Sequence, residues 1–182
     1  MLLVTFCLTS VLVLGLIASI VISIVSPAHR IWPPPGQKSW QYFLVWVLTI
    51  LAFSGFVLVG LLDWNSLFWP ALIRWPVGGG LIFLGNILAW AGVAHLTFRT
   101  TSGAEGELVT DGLYRYTRNP QYLGDIAILV GWIVLSASMY AVPITLGGVL
   151  AFILTPFAEE PWLEELHGDA YSAYRGIVPR FL

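Results

Sequence analysis

Long stretches without a charged side chain alternate along the chain with short polar intervals. A helix crossing about 30 Å of hydrocarbon needs about 20 apolar residues, so each uncharged run of that order predicts a span. The first run is 1–25, closed by a proline-rich loop, 26–39, that holds Pro33, Pro34, Pro35 and Gly36. The second is 42–62, ended by Asp63. Residues 64–76 carry Trp64, Trp69 and Trp75 in a segment too short to span, which predicts an interfacial belt. A third span, 77–98, opens on Gly78, Gly79 and Gly80 and sets Gly85 and Ala89 at the small-xxx-small spacing of helix contacts. Beyond the polar loop 99–121, two shorter runs, 122–136 and 140–157, are parted by a turn around Ser138 and predict a tight helical hairpin. In the remainder, 158–182, Leu163, Leu166, Ala170 and Tyr174 recur at three- and four-residue spacing, which predicts an amphipathic helix on the membrane face. The expected fold is all-α and polytopic: about five transmembrane helices with a C-terminal hairpin and an amphipathic C-terminal helix. It forms a single domain, 1–182, in which 1–98 supply three N-terminal spans.

Composition closes off other classes. Hydrophobic residues make up 58% of the chain and charged residues 10%, against about 25% charged in a soluble domain. A water-exposed globule would lack the polar side chains to cover itself. Disorder needs the opposite balance, and a net charge of -2 without a basic patch excludes a nucleic-acid partner. One cysteine, Cys7, excludes a disulfide framework and a cysteine-built metal site, so no metal is expected; Cys7 reads as a small apolar residue of a membrane helix. The first run has no basic n-region and exceeds a usual h-region, so it reads as a retained span rather than a signal peptide. Arg30, Lys38, Arg99, Arg115, Arg118, Arg175 and Arg180 fall on one side of this topology and Arg74 on the other. The positive-inside rule then places the N-terminus outside and the C-terminus in the cytoplasm.

Every polar cluster able to do chemistry lies on that cytoplasmic face. Because the hairpin returns the chain to the side it left, 114–124 and 159–180 are expected to meet. The first cluster reads DGLYRYTRNPQYLGD over 111–125. Pro120 disfavours helix at Asn119 and suits the first turn of the fourth span. Arg115 and Arg118 with Tyr114, Tyr116 and Tyr122 form a set able to hold an anion and stack a ring or cation, or equally to anchor an interface. In the second cluster, Glu159 and Glu160 follow directly on an apolar span, where an unpaired carboxylate is costly, so a cationic partner is expected, Arg118 or a bound ligand. Glu164 and Glu165 read as a solvated face. Tyr171 and Tyr174 suit either core or a stacking platform. His95 and Asn86 lie within the third span; His95 is a candidate for lining an acceptor pocket, whereas interhelical hydrogen bonding accounts for Asn86. Asp125 suits pairing with Arg118 or a cofactor contact, and the Pro33–Gly36 loop reads as a rigid connector.

Taken together, Gly112, Tyr114, Arg118, Pro120, Tyr122 and Gly124, followed after a hairpin by Glu159, Glu160, Leu163, Gly168, Tyr171, Tyr174, Val178 and Arg180, resemble the C-terminal signature of the isoprenylcysteine carboxyl methyltransferases and related phospholipid methyltransferases. The resemblance implies an integral membrane methyltransferase using S-adenosylmethionine in a cytoplasm-facing pocket, with a lipophilic acceptor entering from the bilayer among membrane lipids. The cofactor-binding set it implies is Tyr114, Arg118, Asn119, Pro120, Tyr122, Gly124, Glu159, Glu160, Tyr171 and Tyr174, with Arg118, Glu160 and His95 as the candidates for catalysis. Arginine suits the methionine carboxylate, glutamate the ammonium or ribose hydroxyls, and tyrosine adenine or the sulfonium.

Three positions depart from the family pattern. Asn119 stands where the family has histidine, which removes that element's titratable group. His167 replaces the usual phenylalanine before Gly168, and the trailing proline is missing after Phe181 and Leu182. Methyl transfer needs alignment and a deprotonated nucleophile more than strong acid or base catalysis, and a carboxylate is already ionised at neutral pH. An isoprenylcysteine-type carboxylate is therefore the favoured acceptor, ahead of a phospholipid amine or a small thiol. Two further classes are an NADPH-dependent reductase resembling the sterol reductases, suggested by Asp125, and a non-catalytic scaffold, which leaves Glu159 and Glu160 without a purpose. No G-x-G-x-x-G follows a strand, so a soluble-type dinucleotide fold is not expected.

Overall fold

The computed structural model describes residues 1–101 and 106–182, with side chains for all of these except 97–101. Among them the chain is helical, without strands: α1 Leu2–Val25, α2 Trp40–Leu62, a short turn α3 Ala71–Ile73, α4 Gly79–Thr101, α5 Pro120–Ser136, α6 Ala141–His167 and α7 Asp169–Ile177. Four helical stretches, Leu2–Val25, Trp40–Leu62, Ala71–Leu96 and Ala141–His167, are long and apolar enough to cross a membrane, and Pro120–Ser136 is a shorter apolar helix. The protein is a polytopic, all-helical membrane protein.

In hydrocarbon every backbone and hydroxyl group must find a partner within the protein. α1 meets this by back-bonding: Thr9, Ser10, Ser19 and Ser23 each donate to the carbonyl four residues earlier. Ser23 Oγ also accepts from the backbone N–H groups of Ile31 and Trp32 at 2.9 and 3.0 Å, which folds the proline-rich loop back over the end of α1. α1 packs on α2 and α6, with Val13, Ala52, Phe56, Val59, Leu129 and Ile144 at the core between helices.

α4 and α5 are zipped by glycines seven residues apart. A Cβ on Gly78 would lie 2.8 Å from Gly131 O, one on Gly85 2.7 Å from Gly124 O, and one on Gly92 3.0 Å from Gln121 N. Backbones this close admit no side chain at the contact, which gives the small-residue spacing of Gly85 and Ala89 its physical meaning.

The belt expected at 64–76 is only partly one. Residues 71–78 wind on as the first turns of the third span, through a widened π turn at Arg74–Gly78 that accommodates Pro76. Arg74 is tolerated there because its Nε and Nη2 both donate to Leu135 O, at 2.9 and 2.7 Å, and its guanidinium lies 4.5 Å from the Trp64 ring centre. At the same end Asp63 Oδ2 accepts from Ser66 Oγ, Ser138 Oγ and the Tyr140 N–H, tying α2 to the α5–α6 turn.

A second correction concerns the tail. The expected single amphipathic helix over 158–182 is two: α6 continues past the expected end of its apolar run at 157 to His167, breaks at Gly168 (φ 55°), and α7 follows. Pro156 and Pro161 lie inside α6 and each removes one helix hydrogen bond, and Glu159 and Glu160 stay on the helix because Trp32, Tyr122, Arg118 and Arg180 pair with them.

Candidate functional site

At the end of the bundle opposite Asp63, a polar cleft opens between residues 106–109, the 3-10 turn Gly112–Arg115, the start of α5, the last turns of α6, and α7. Eight of the ten expected binding residues line it: Tyr114, Arg118, Asn119, Tyr122, Glu159, Glu160, Tyr171 and Tyr174. The hairpin thus brings the two sequence clusters together. Pro120 is buried in the first turn of α5, and Gly124 belongs to the glycine seam, where a Cβ would lie 2.5 Å from Ala89 N; neither lines the cleft. His95 lies against Gly112, where a Cβ would come within 2.6 Å of the ring, and is not among the cleft residues. Residues 102–105 of the third loop, and the Arg99 side chain, lie outside the described set.

The two glutamates are held differently. Glu160 is clamped by two arginines: Arg118 Nη1 lies 3.0 Å from its Oε1, and Arg180 donates through Nε and Nη2 at 2.6 and 2.7 Å. The fork geometry suits a carboxylate, and the Glu160 hydrogen bonds raise the Arg180 guanidinium above its ordinary pKa. Arg180 also lies 3.8 Å above the Phe157 ring. Its carbonyl accepts from Asn119 Nδ2 at 2.9 Å and Thr117 Oγ1 at 3.2 Å, and Pro179 O accepts from the Arg118 N–H at 3.0 Å. Asn119, in place of the family's histidine, therefore straps the C-terminal tail across the cleft's edge.

Glu159 has no cationic partner among the described residues. Its Oε1 accepts from the Trp32 indole at 2.7 Å and from the Tyr122 hydroxyl at 2.5 Å. Trp32 was not legible as a site residue: it comes from the loop read as a connector, and Pro33 beside it lines the cleft. Its only sequence signal is a tryptophan set directly before a proline run.

The tyrosines are buried and hydrogen-bonded rather than an open stacking platform. Tyr171 OH accepts from Arg118 Nη1 at 3.3 Å, and Tyr174 OH donates to Tyr114 O at 2.7 Å. Burial pushes all three phenols up, with the Glu159 carboxylate adding to the effect at Tyr114; Tyr174 rises to about 12. All three stay protonated at neutral pH.

A second cavity, of about 260 Å³, lies between α1, α2, α5 and α6 with apolar walls that include Ile20, Phe53, Phe56 and Phe152. Trp32, Gln121, Tyr122 and Asp125 close the end nearest the polar cleft, and Gln121 and Tyr122 line that cleft as well. Asp125 bonds to the Gln121 side chain and not to Arg118. A polar cleft and an apolar cavity thus share one wall, an arrangement that suits reaction between a water-soluble and a membrane-borne reactant.

No curated protein and no solved structure matches the chain. The family model for phospholipid methyltransferase matches residues 73–170, just over half of the chain, from the Arg74 turn through the hairpin to the start of α7. The chain belongs to the phospholipid methyltransferase family, and it is an integral membrane methyltransferase.

Proposed function

We propose that the protein methylates a lipophilic amine with S-adenosylmethionine at the cytoplasmic face of its membrane. The observation that carries the reading is the shared wall, Gln121 and Tyr122, between the polar cleft and the apolar cavity.

The cleft residues fit the cofactor. Among the described residues Arg118 Nε is a buried N–H donor without a partner, and such donors are rare; it suits the methionyl carboxylate. Glu159, with both its hydrogen bonds on Oε1, suits the ammonium or the ribose hydroxyls through its other oxygen. Arg118 is the only arginine or lysine lining the cleft among the described residues and already holds Glu160, which disfavours a dinucleotide carrying an extra phosphate.

Bound there, S-adenosylmethionine supplies a methyl group on a positively charged sulfur, and the acceptor's lone pair forms the new bond to carbon as the C–S pair returns to sulfur. The chain's own residues orient the acceptor and handle its proton. Asp125 and Glu159 carry no cationic partner among the described residues. Partly desolvated carboxylates so placed attract a cationic head and disfavour a third carboxylate beside them. This supports an amine over the isoprenylcysteine-type carboxylate. Asp125 takes the proton that an ammonium must lose before its nitrogen can attack.

The test is transfer of labelled methyl from S-adenosylmethionine by protein in nanodiscs, offered a lipophilic primary amine and a prenylcysteine-type carboxylate in parallel. Label in the amine, lost in Asp125→Asn, is expected; label in the carboxylate alone would overturn the acceptor assignment.

A further inference from the structure

We infer that Trp46 reads an uncharged oxygen of the acceptor, so that the substrate is an amine joined to its hydrocarbon through a carbonyl- or hydroxyl-bearing link and not a plain alkylamine. This deepens the proposed function, because it rests on assigning the cavity between α1, α2, α5 and α6 to the acceptor.

The indole supplies a donor that the protein itself leaves unused. Of the buried side-chain polar atoms without a hydrogen-bond partner among the described residues, Trp46 Nε1 is the one on a residue lining this cavity. Its polar neighbours are served internally: Ser19 and Thr155 donate to the carbonyls of Gly15 and Ala151, and Trp32 and Tyr122 donate to Glu159. A buried N–H left unpaired is costly and rare. An indole nitrogen donates and does not accept, so its complement is a lone pair on oxygen. Covered from water, this N–H is served by an oxygen that arrives with the molecule filling the cavity.

Position sets where on the acceptor that oxygen sits. On α2 the lining face is Val45, Trp46, Thr49, Ala52, Phe53 and Phe56, about 16 Å of helix axis. Trp46 stands at the end of this face nearest the proline-rich loop, whose Trp32, with Asp125, closes the cavity beside the cleft. Further along the wall is hydrocarbon: the Phe53 and Phe152 rings meet with centres 6.2 Å apart, and Phe56 follows. The tail therefore runs past the indole, and the oxygen belongs between tail and amine. Its charge follows from the rest of the lining. Among the described residues no arginine, lysine or histidine lines the cavity, and Asp125 brings a carboxyl. A full anion would lie there without a counter-charge and beside a second acid. An ester or amide carbonyl, or a hydroxyl, meets the donor without that cost.

The experiment offers the amine with and without the oxygen. Protein in nanodiscs of ether-linked phosphatidylcholine, a matrix with neither carbonyl nor primary amine, receives S-adenosylmethionine with labelled methyl. The acceptor is an N-acyl-ethylenediamine or an n-alkylamine of equal length, at equal membrane mole fraction. The wild type is expected to favour the carbonyl-bearing amine about tenfold in kcat/KM, through KM. Trp46→Phe should lose that preference by weakening the carbonyl-bearing amine alone, whereas a general packing defect would slow both. A second arm uses no amine: in thermal unfolding, a fatty-acid methyl ester should stabilise the wild type more than the hydrocarbon of equal length, and Trp46→Phe no more. Equal kcat/KM for the two amines in the wild type, a comparison that needs no variant to fold, or a preference kept in Trp46→Phe, would overturn the role of Trp46. Label in neither amine, with an ester preference that Trp46→Phe loses, supports the indole's role and counts against the amine acceptor alone. Label in neither amine and no ester preference overturns both.

Discussion

The indole N–H of Trp32 donates to Glu159 Oε1 at 2.7 Å, across 127 positions of sequence. This bond joins the N-terminal loop, outside the matched segment 73–170, to the paired glutamates inside it. Ser23 sets it up by holding the Trp32 backbone, so the end of α1 is part of the machinery that orients Glu159.

Replacing Trp32 with phenylalanine keeps a ring but removes the donor. A hydrogen bond to a charged group contributes about 1.5–3 kcal/mol to the fold that holds it, so Trp32→Phe should lower the unfolding temperature by several degrees and, by freeing Glu159, weaken binding of S-adenosylhomocysteine about tenfold. Equal affinity would mean that Tyr122 alone orients Glu159.

The clamp on Glu160 separates charge from fold. Glu160 and Arg118 side chains are 10% and 9% exposed, and removing one partner of such a buried pair costs about 3–5 kcal/mol. Glu160→Gln, which leaves two guanidinium groups facing a neutral amide, should be strongly destabilised. Arg180, 30% exposed, is better solvated, and Arg180→Gln should cost about 1 kcal/mol or less. Thermal unfolding of the two variants in the same nanodiscs checks the order; the reverse order would show that the tail strap, rather than the Arg118 pair, holds this corner.

At the opposite end, Asp63 predicts a pH dependence. Burial opposes its charged form, but hydrogen bonds from the Ser138 and Ser66 hydroxyls and from the Tyr140 and Met139 N–H groups outweigh it and lower its pKa below 3.8. A depressed carboxylate contributes stability that is fully present above the unfolded-state value and is lost as pH falls through the folded one. The difference in unfolding temperature between wild type and Asp63→Asn should therefore be constant from neutral pH down to about pH 5 and shrink below about pH 4. A difference that persists unchanged at lower pH would mean that shape, not charge, is what Asp63 supplies.

The positive-inside reading places the cleft in the cytoplasm. Residue Gly106, on the cleft's edge, should react as Gly106→Cys, in a Cys7→Ser background, with an impermeant maleimide only from the cytoplasmic side. Labelling from the outside alone would invert the topology.

What could be read from the sequence followed local rules. Uncharged runs gave the spans, Pro120 marked the start of α5, and the cost of burying Glu160 pointed to Arg118. The misreadings came where tertiary partners overrode those rules. Polar residues after 157 looked like the end of a span, yet α6 continues because Trp32, Tyr122, Arg118 and Arg180 satisfy its glutamates. Arg74 fell in the expected interfacial belt, yet Leu135 O admits it to a helix. Trp32 has no periodic signal, since its partner lies on a helix far along the chain. Gly124 belonged to the family pattern for its packing on Ala89 rather than for contact with a ligand.

The central claim, that the polar cleft built around Arg118 and Glu159 holds the methyl donor, is tested most directly by calorimetric titration of the purified protein with S-adenosylhomocysteine and, separately, NADPH. Saturable binding of S-adenosylhomocysteine, at least tenfold weaker in Arg118→Ala, with no heat from NADPH, is the predicted result. Binding of NADPH instead, or the same S-adenosylhomocysteine affinity in wild type and Arg118→Ala, would contradict it.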